Sequence, residues 1–380
     1  MKKLLSLICS LALVLYIPLS AYAAESTPFD VNAESAVLME AKTGRVLYEK
    51  NPDKPLPPAS VTKIMTLLLV CEAVDRGEAS LSDSVRVSEY AASMGGSQIY
   101  LEPNEEMKLS DLLKSVVVSS ANDGAVALAE HVAGDEGAFV EKMNARAREL
   151  EMKNTSFENT TGLDDDTVKH LTSARDIAIM SRELITKHPM ILDYSSIWMD
   201  TVRNGEFTLT NTNRLIRFYK GATGLKTGST SKAGFCISAT AERDGMHLIA
   251  VIMGSKTRDE RNSAATKLLD MGFSKYALYE REGKTEGEVK VLGGTALSVK
   301  GISGDFSTVV QKGDSDVSEE TQLYEKVTAP VSKGDVIGKV TVKSGDGTIA
   351  EIDICAAESV KKSDFLHIVA QLLKKYFMIS

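Results

Sequence analysis

The order of elements in this 380-residue chain predicts an α+β fold: an antiparallel sheet with flanking helices and a helical lobe, followed by a small all-β sandwich. Three observations carry that expectation. Two apolar hairpin patterns bracket a run of amphipathic helices. A long apolar helix opens directly behind a proline-stopped loop at Pro57-Pro58. Near Glu282 the composition then shifts to charged and glycine-rich, and beyond it only short alternating runs remain.

In chain order, Ala36-Val37-Leu38-Met39 and Arg45-Val46-Leu47-Tyr48 flank Lys42-Thr43-Gly44 and read as a hairpin. The apolar helix follows, from Ser60 towards Val70. Residues 107–118 and 123–133 read as two helices separated by the break at Ser119-Ser120-Ala121-Asn122, with Gly134 placed to end the second. Two more helices are expected at 139–152 and 174–186, the latter opened by Ser173 and Asp176 in a capping-box pattern. The apolar runs 234–241 and 246–253 enclose Glu242-Arg243-Asp244-Gly245 and read as a second hairpin, followed by a helix over 259–271. The stretch 282–287 reads as a linker. Alternating runs at 289–291, 307–310, 336–342 and 350–354 suggest a small antiparallel sandwich that serves as a spacer or docking module. The expected domains are therefore a signal peptide over 1–23, a catalytic domain over 24–282, a β-sandwich over 283–357 and a C-terminal anchor over 358–380.

Composition narrows the partners. The formal net charge is −8 and no long lysine/arginine block occurs, which argues against nucleic acid. Met1-Lys2-Lys3, an apolar run to Leu19 and Ala21-Tyr22-Ala23 form the charged, apolar and cleavage regions of a secretory signal, so the protein is expected to be exported. Beyond it, Cys71, Cys236 and Cys355 are too few and too scattered for a disulfide framework, and the five histidines do not cluster, so neither metal nor cofactor is expected. At the other end, Phe365, Ile368, Val369, Leu372, Leu373 and Tyr376 share one face at helical spacing, with Lys374 and Lys375 opposite. About 15 residues are too few to span a bilayer, so an amphipathic anchor lying in the membrane surface is expected, placing the protein on the outer face of the cytoplasmic membrane.

The chemistry concentrates at Ser60-Val61-Thr62-Lys63. Residues three apart on a helix share a face, so the Ser60 hydroxyl and the Lys63 amine meet, and the apolar run behind buries them. Burial lowers a lysine from its reference of about 10.4, which lets it act as the base that activates a serine. Ser-x-x-Lys also occurs at Ser229–Lys232 and Ser359–Lys362, but only the Ser60 copy opens a long apolar helix. It is followed by Ser120-Ala121-Asn122 and by Lys226-Thr227-Gly228, whereas Lys42-Thr43-Gly44 precedes it and reads as a turn.

With these three motifs the chain resembles the low-molecular-mass penicillin-binding proteins that are D-alanyl-D-alanine carboxypeptidases, enzymes with the penicillin-recognising serine transferase-like fold. The resemblance extends to the loop 159–164, the segment 224–230, the β module and the tail. It implies that Ser60 attacks the D-Ala-D-Ala carbonyl of a peptidoglycan stem peptide, that Lys63 takes its proton, and that Ser120 relays it to the departing amine. Asn122 is expected to hydrogen-bond the substrate amide. Lys226 is expected to keep Lys63 neutral and, with Thr227 and Gly228, to meet the terminal carboxylate. The amides of Ser60 and Ser229 form the expected oxyanion hole. The resemblance places Arg261 on the carboxylate, with Arg258 as its nearest competitor. β-Lactams are the implied covalent inhibitors. A β-lactamase is disfavoured by the β module and tail, and a non-catalytic wall-binding module by the complete set of motif residues.

Overall fold

The computed structural model describes residues 29–165, 167–313, 317–345, 347–365 and 369. The chain forms two units, residues 1–31 and residues 32–380. The signal-peptide expectation and nearly all of the amphipathic tail lie outside the described residues. Everything below belongs to the second unit.

Five strands make the main sheet: β1 (Ser35–Glu40), β2 (Val46–Lys50), β3 (Ala222–Thr230), β4 (Gly234–Arg243) and β5 (Met246–Ser255), in the order β2-β1-β5-β4-β3. All its pairs are antiparallel, with Leu38 opposite Ala250 and Lys226 opposite Ser238. Lys42-Thr43-Gly44 forms the β1–β2 turn, where Gly44 takes a positive φ of 71°. β1 is buried along its whole length because both faces are covered. Val37, Met39, Ile249 and Val251 point into the core shared with the helical lobe, while Leu38 and Leu248 lie under Gly272 of the C-terminal helix of this domain.

Helix α1 (Lys63–Asp75) runs through the middle of the molecule, and every residue from Lys63 to Cys71 is buried. A helix apolar on all sides has to be enclosed. Around it pack α2 (Leu109–Val118), α3 (Asn122–Ala133), α4 (Glu136–Glu149) and α5 (Ala174–Lys187), with β3 closing one side. Ser173 caps α5 as expected, accepting from the Asp176 amide at 3.2 Å. Two expectations shift here. Met107 and Lys108 belong not to a helix but to a short strand, Met107 opposite Val85, and α2 starts at Leu109. Its first amides bond the carbonyls of Asp83 and Leu81, so no side-chain cap announces the start. Helix α4 starts at Glu136 and ends at Glu149, because Asp135 caps it by accepting from the Ala138 amide at 2.8 Å.

Helix α6 (Arg258–Lys275) leads straight into β6 (Tyr276–Arg281), which pairs with β9 (Phe306–Gln311). All-β structure therefore begins ahead of the glycine-rich stretch, and β7 (Thr285–Leu292) already occupies the second half of the expected linker. The remaining strands are β8 (Ser298–Ser303), β10 (Val317–Leu323), β11 (Lys326–Thr328), β12 (Val336–Ser344) and β13 (Gly347–Ala356), in a sheet ordered β10-β12-β13-β8-β7-β11. One pair, β7 with β11, is parallel rather than antiparallel. The module is tied to the catalytic domain by hydrogen bonds: Arg45 Nη1 donates to the Val309 carbonyl at 2.6 Å, and the Lys312 amide to the Lys275 carbonyl at 2.7 Å.

The loop 159–164 docks under the turn that holds Ser60. Gly162 has φ +82°, and a Cβ there would come within 1.8 Å of the Ala59 carbonyl oxygen. A Gly162→Ala protein is accordingly expected to lose about 2–4 kcal/mol in urea unfolding, the sum of left-handed backbone strain and a backbone clash. An unchanged midpoint would show that the loop is not held against the nucleophile turn.

Candidate active site

Ser60 stands in a single 3-10 turn, Ala59–Thr62, from which α1 continues. The residue before it, Ala59, is held at a positive φ of 48°, a conformation that a packed surrounding has to impose on an alanine. One turn on, the Lys63 side chain comes back to the serine, with Nζ 3.1 Å from Oγ. The same amine donates to Asn122 Oδ1 at 2.5 Å and to the Thr161 carbonyl at 2.8 Å.

The charge state of Lys63 follows from its surroundings. It is fully buried, and burial first, then the nearby charge of Lys226, hold its amine far below the ordinary value, with Asp123 opposing. A neutral amine has two N–H donors and one lone pair. In that form the Asn122 and Thr161 oxygens, which only accept, can take both donors and leave the lone pair for the Ser60 hydroxyl.

Lys226 sits in mid-strand on β3, 1% exposed, and donates to the Thr227 carbonyl at 3.1 Å. Burial and then the Arg261 charge push it down to about 7. Arg261 in turn is lowered to about 10 by burial and by Arg258. A line of basic groups thus runs inward from the exposed Arg258 through Arg261 and Lys226 to the buried Lys63, each one depressing the next.

Beside β3 opens a cleft of about 410 Å³ whose walls include Ser60, Ser120, Thr227, Gly228 and Ser229 together with three arginines, Arg214, Arg258 and Arg261. Among the described residues, no carboxylate lines it. Gly228 is required by close approach: a Cβ there would lie 2.8 Å from the Ser60 amide nitrogen and 2.9 Å from the Pro58 carbonyl oxygen. The glycine lets β3 pass directly beside the nucleophile turn. Ser120 is held at φ 62° between α2 and α3.

The structure therefore brings Ser60, Ser120, Thr227, Gly228, Ser229 and Arg261 to one cleft and places Lys63 and Lys226 behind its wall. Asn122 also stands behind the wall. Its Oδ1 accepts from Lys63, and its Nδ2 donates to the Gly95 carbonyl at 2.7 Å. Arg261 is fastened from behind, Nε and Nη2 donating to Asn262 Oδ1 at 3.1 and 2.9 Å. The second Ser-x-x-Lys copy has another use: Lys232 donates to the Asp164 carbonyl and Thr230 to its carboxylate, clamping the loop to the end of β3.

Four residues went unremarked in the sequence. Thr161 acts through a backbone carbonyl, which has no side-chain signature. Arg214 and Trp198 reach the cleft from a connection with no recognisable pattern. His170 is buried, and its Nδ1 accepts from the Glu158 amide at 3.0 Å. Nε2 therefore carries the proton and donates to Thr62 Oγ1 at 2.7 Å, joining the loop to the nucleophile turn. Burial lowers this imidazole to about 4.

A serine beside a buried lysine of depressed pKa, in a cleft lined by arginines, suits serine acyl transfer. Comparison with known proteins makes the assignment specific. Residues 21–257 match the family model described as D-alanyl-D-alanine carboxypeptidase, peptidase S11, and residues 273–362 match the penicillin-binding protein 5 C-terminal domain. The chain is 43% identical over 380 residues to the D-alanyl-D-alanine carboxypeptidase DacF of Bacillus subtilis, covering 96% of each protein. Penicillin-binding protein 5 from Haemophilus influenzae superposes with a TM-score of 0.79 at 33% identity, over 88% of this chain and 99% of that one. An ampicillin-bound penicillin-binding protein D2 from Listeria monocytogenes matches 65% of this chain and 99% of its own, with TM-score 0.57 and 33% identity. The chain belongs to the serine D-alanyl-D-alanine carboxypeptidase family.

The electrostatics set a pH profile. Removing a positive neighbour stabilises the Lys63 ammonium, so Lys226→Met raises the Lys63 pKa and the free amine appears only at higher pH. Acylation by a reporter penicillin, followed from about pH 5 to 9, is expected to show its acidic limb displaced upward in the variant. A limb that does not move would mean that burial alone keeps Lys63 neutral.

Proposed function

We propose that Ser60 is the nucleophile and Lys63 its base in removal of the terminal D-alanine from a peptidoglycan stem peptide. The observation that carries this reading is the fully buried Lys63 amine standing 3.1 Å from the Ser60 hydroxyl, where burial and Lys226 hold its pKa far below the ordinary value. Ser60 Oγ bonds to the penultimate D-Ala carbonyl carbon as its proton passes to Lys63. Ser120, on the cleft wall, relays that proton to the leaving amine, and the amides of Ser60 and Ser229 receive the oxyanion. Asn122 keeps the Lys63 amine in place and has a second Nδ2 hydrogen for the substrate. Thr227 and Arg261 on the cleft wall meet the terminal carboxylate, with Lys226 adding positive charge from behind it, which suits a cleft with arginines and no acid among its described lining residues. Water then attacks the ester. Hydrolysis of an acyl group by a glutamate base, as a β-lactamase would use, finds little support: Glu158 accepts from the Val168 and Lys169 amides at 2.9 and 3.0 Å. A β-lactam, whose leaving amine stays tethered, stalls the enzyme as an ester.

We place this activity on the outer face of the cytoplasmic membrane, with the segment beyond Ser363 as an amphipathic anchor. No helix among the described residues is long and apolar enough to cross a membrane.

Labelled penicillin is expected to give a stoichiometric burst on the Ser60 peptide, followed by slow release. Label on another residue, or rapid turnover without a burst, would sink the assignment. Arg261→Ala is expected to lower kcat/KM for D-Ala-D-Ala peptides about 10–100-fold, with a much smaller loss on the C-terminal amide. Equal losses on both substrates would show that Arg261 does not read the carboxylate.

A further inference from the structure

The chain does not leave the β module when β13 ends. Val360 pairs with Val331 and Lys362 with Gly294. The Thr295 amide donates to the Lys361 carbonyl and the Ser363 amide to the Gly293 carbonyl, both at 2.8 Å. These bonds fasten the last described residues along the β7–β8 turn, residues 293–297. That turn carries exposed apolar side chains where it joins the strands: Leu297 is 71% exposed, and Leu292 is also exposed. Two residues beyond the last bond, Phe365 is 78% exposed.

Single exposed leucines are ordinary on soluble proteins. Here Leu297 belongs to the turn whose backbone fastens residues 361–363, where the chain delivers a segment with its own apolar face. Phe365 begins that face, and its exposure shows that the face does not start by packing on the module. The charge suits an anionic surface, since residues 358–380 carry four lysines (Lys361, Lys362, Lys374, Lys375) against two acids, Glu358 and Asp364.

We propose that the β7–β8 turn is a second membrane-contacting element, inserting Leu297 and Leu292 into the surface of an anionic lipid bilayer beside the tail. The inference rests on the reading of the tail as an anchor. Two contacts on one rigid module fix its orientation on the membrane, where a helix on a free linker would not.

Sedimentation of the full-length protein with phosphatidylglycerol vesicles, against phosphatidylcholine vesicles as control, tests it. The substitutions are Leu297→Asp and Leu297→Ala, with a chain ending at Ser363 in parallel. Labelling by penicillin and the thermal midpoint report that each variant is folded. Leu297→Asp is expected to weaken binding to the anionic vesicles about tenfold and Leu297→Ala less, the scale of one partly buried leucine. Residual binding by the shortened chain that is abolished by Leu297→Asp would also support the proposal. If truncation abolishes binding while Leu297→Asp in the full chain leaves it unchanged, the turn is not a contact, although the anchor stands. If neither change matters, both readings fall. Stronger vesicle binding by Leu297→Asp would mean that the turn holds the tail back in solution, which also overturns the proposal.

Discussion

A lysine amine enclosed in protein beside a serine hydroxyl, its pKa held far below the ordinary value, is the constraint around which the catalytic domain is arranged. An ammonium at that position would need a counter-ion, and the groups that contact Lys63 Nζ are a serine hydroxyl, an asparagine carbonyl and a backbone carbonyl. Those partners suit an amine and leave a cation poorly compensated. The enclosing helix α1, apolar on every side, and the second cation at Lys226 act in the same direction. Asp123 is the exception. Its carboxylate is committed to the Ile99 and Leu101 amides at 3.1 and 3.0 Å, and it opposes the shift without reversing it. The amine therefore owes its basic form to three separate elements rather than to one local contact.

Much of this was legible in the sequence because helical spacing alone joins Ser60 to Lys63, and because the Lys226 motif carries a glycine whose absence of a side chain is a geometric demand. The hairpins and the cap at Ser173 are likewise local events. What stayed hidden depends on contacts distant in sequence or on main-chain atoms. The Thr161 carbonyl is chemically like any other. The strand at Met107 exists because Val85 lies opposite it, and β6 exists because β9 does. The parallel pairing of β7 with β11 has no counterpart in the alternation of either strand. Asn122 shows a subtler limit: its motif was recognisable, but its part in holding the lysine required the third dimension.

The β module is not a loosely tethered appendage. Helix α6 runs into β6 without a spacer, and the β1–β2 turn of the main sheet reaches across to β9 through Arg45 while Lys42 pairs with Glu280. Lys312 bonds the carbonyls of both Phe273 and Lys275. Orientation imposed on the module is therefore passed to the catalytic cleft, because the connections are backbone to backbone or charge-assisted and distributed over several strands.

The interlock of Gly162 with Ala59 and of Gly228 with Ser60 also bears on the order in which the protein acquires activity. The nucleophile turn lies near the start of the domain, whereas the surfaces that shape it arrive roughly 100 and 170 residues later. Such contacts are non-local and carry a loop-closure cost that has to be met before they form. A half-folded molecule accordingly has the serine and the lysine in adjacent turns but neither the oxyanion geometry nor the dry wall that strips the proton from the amine. Chemical competence is thereby a report on completion of the domain. A covalent β-lactam counts native molecules, and an incompletely folded chain is harmless to the polymer it will later trim.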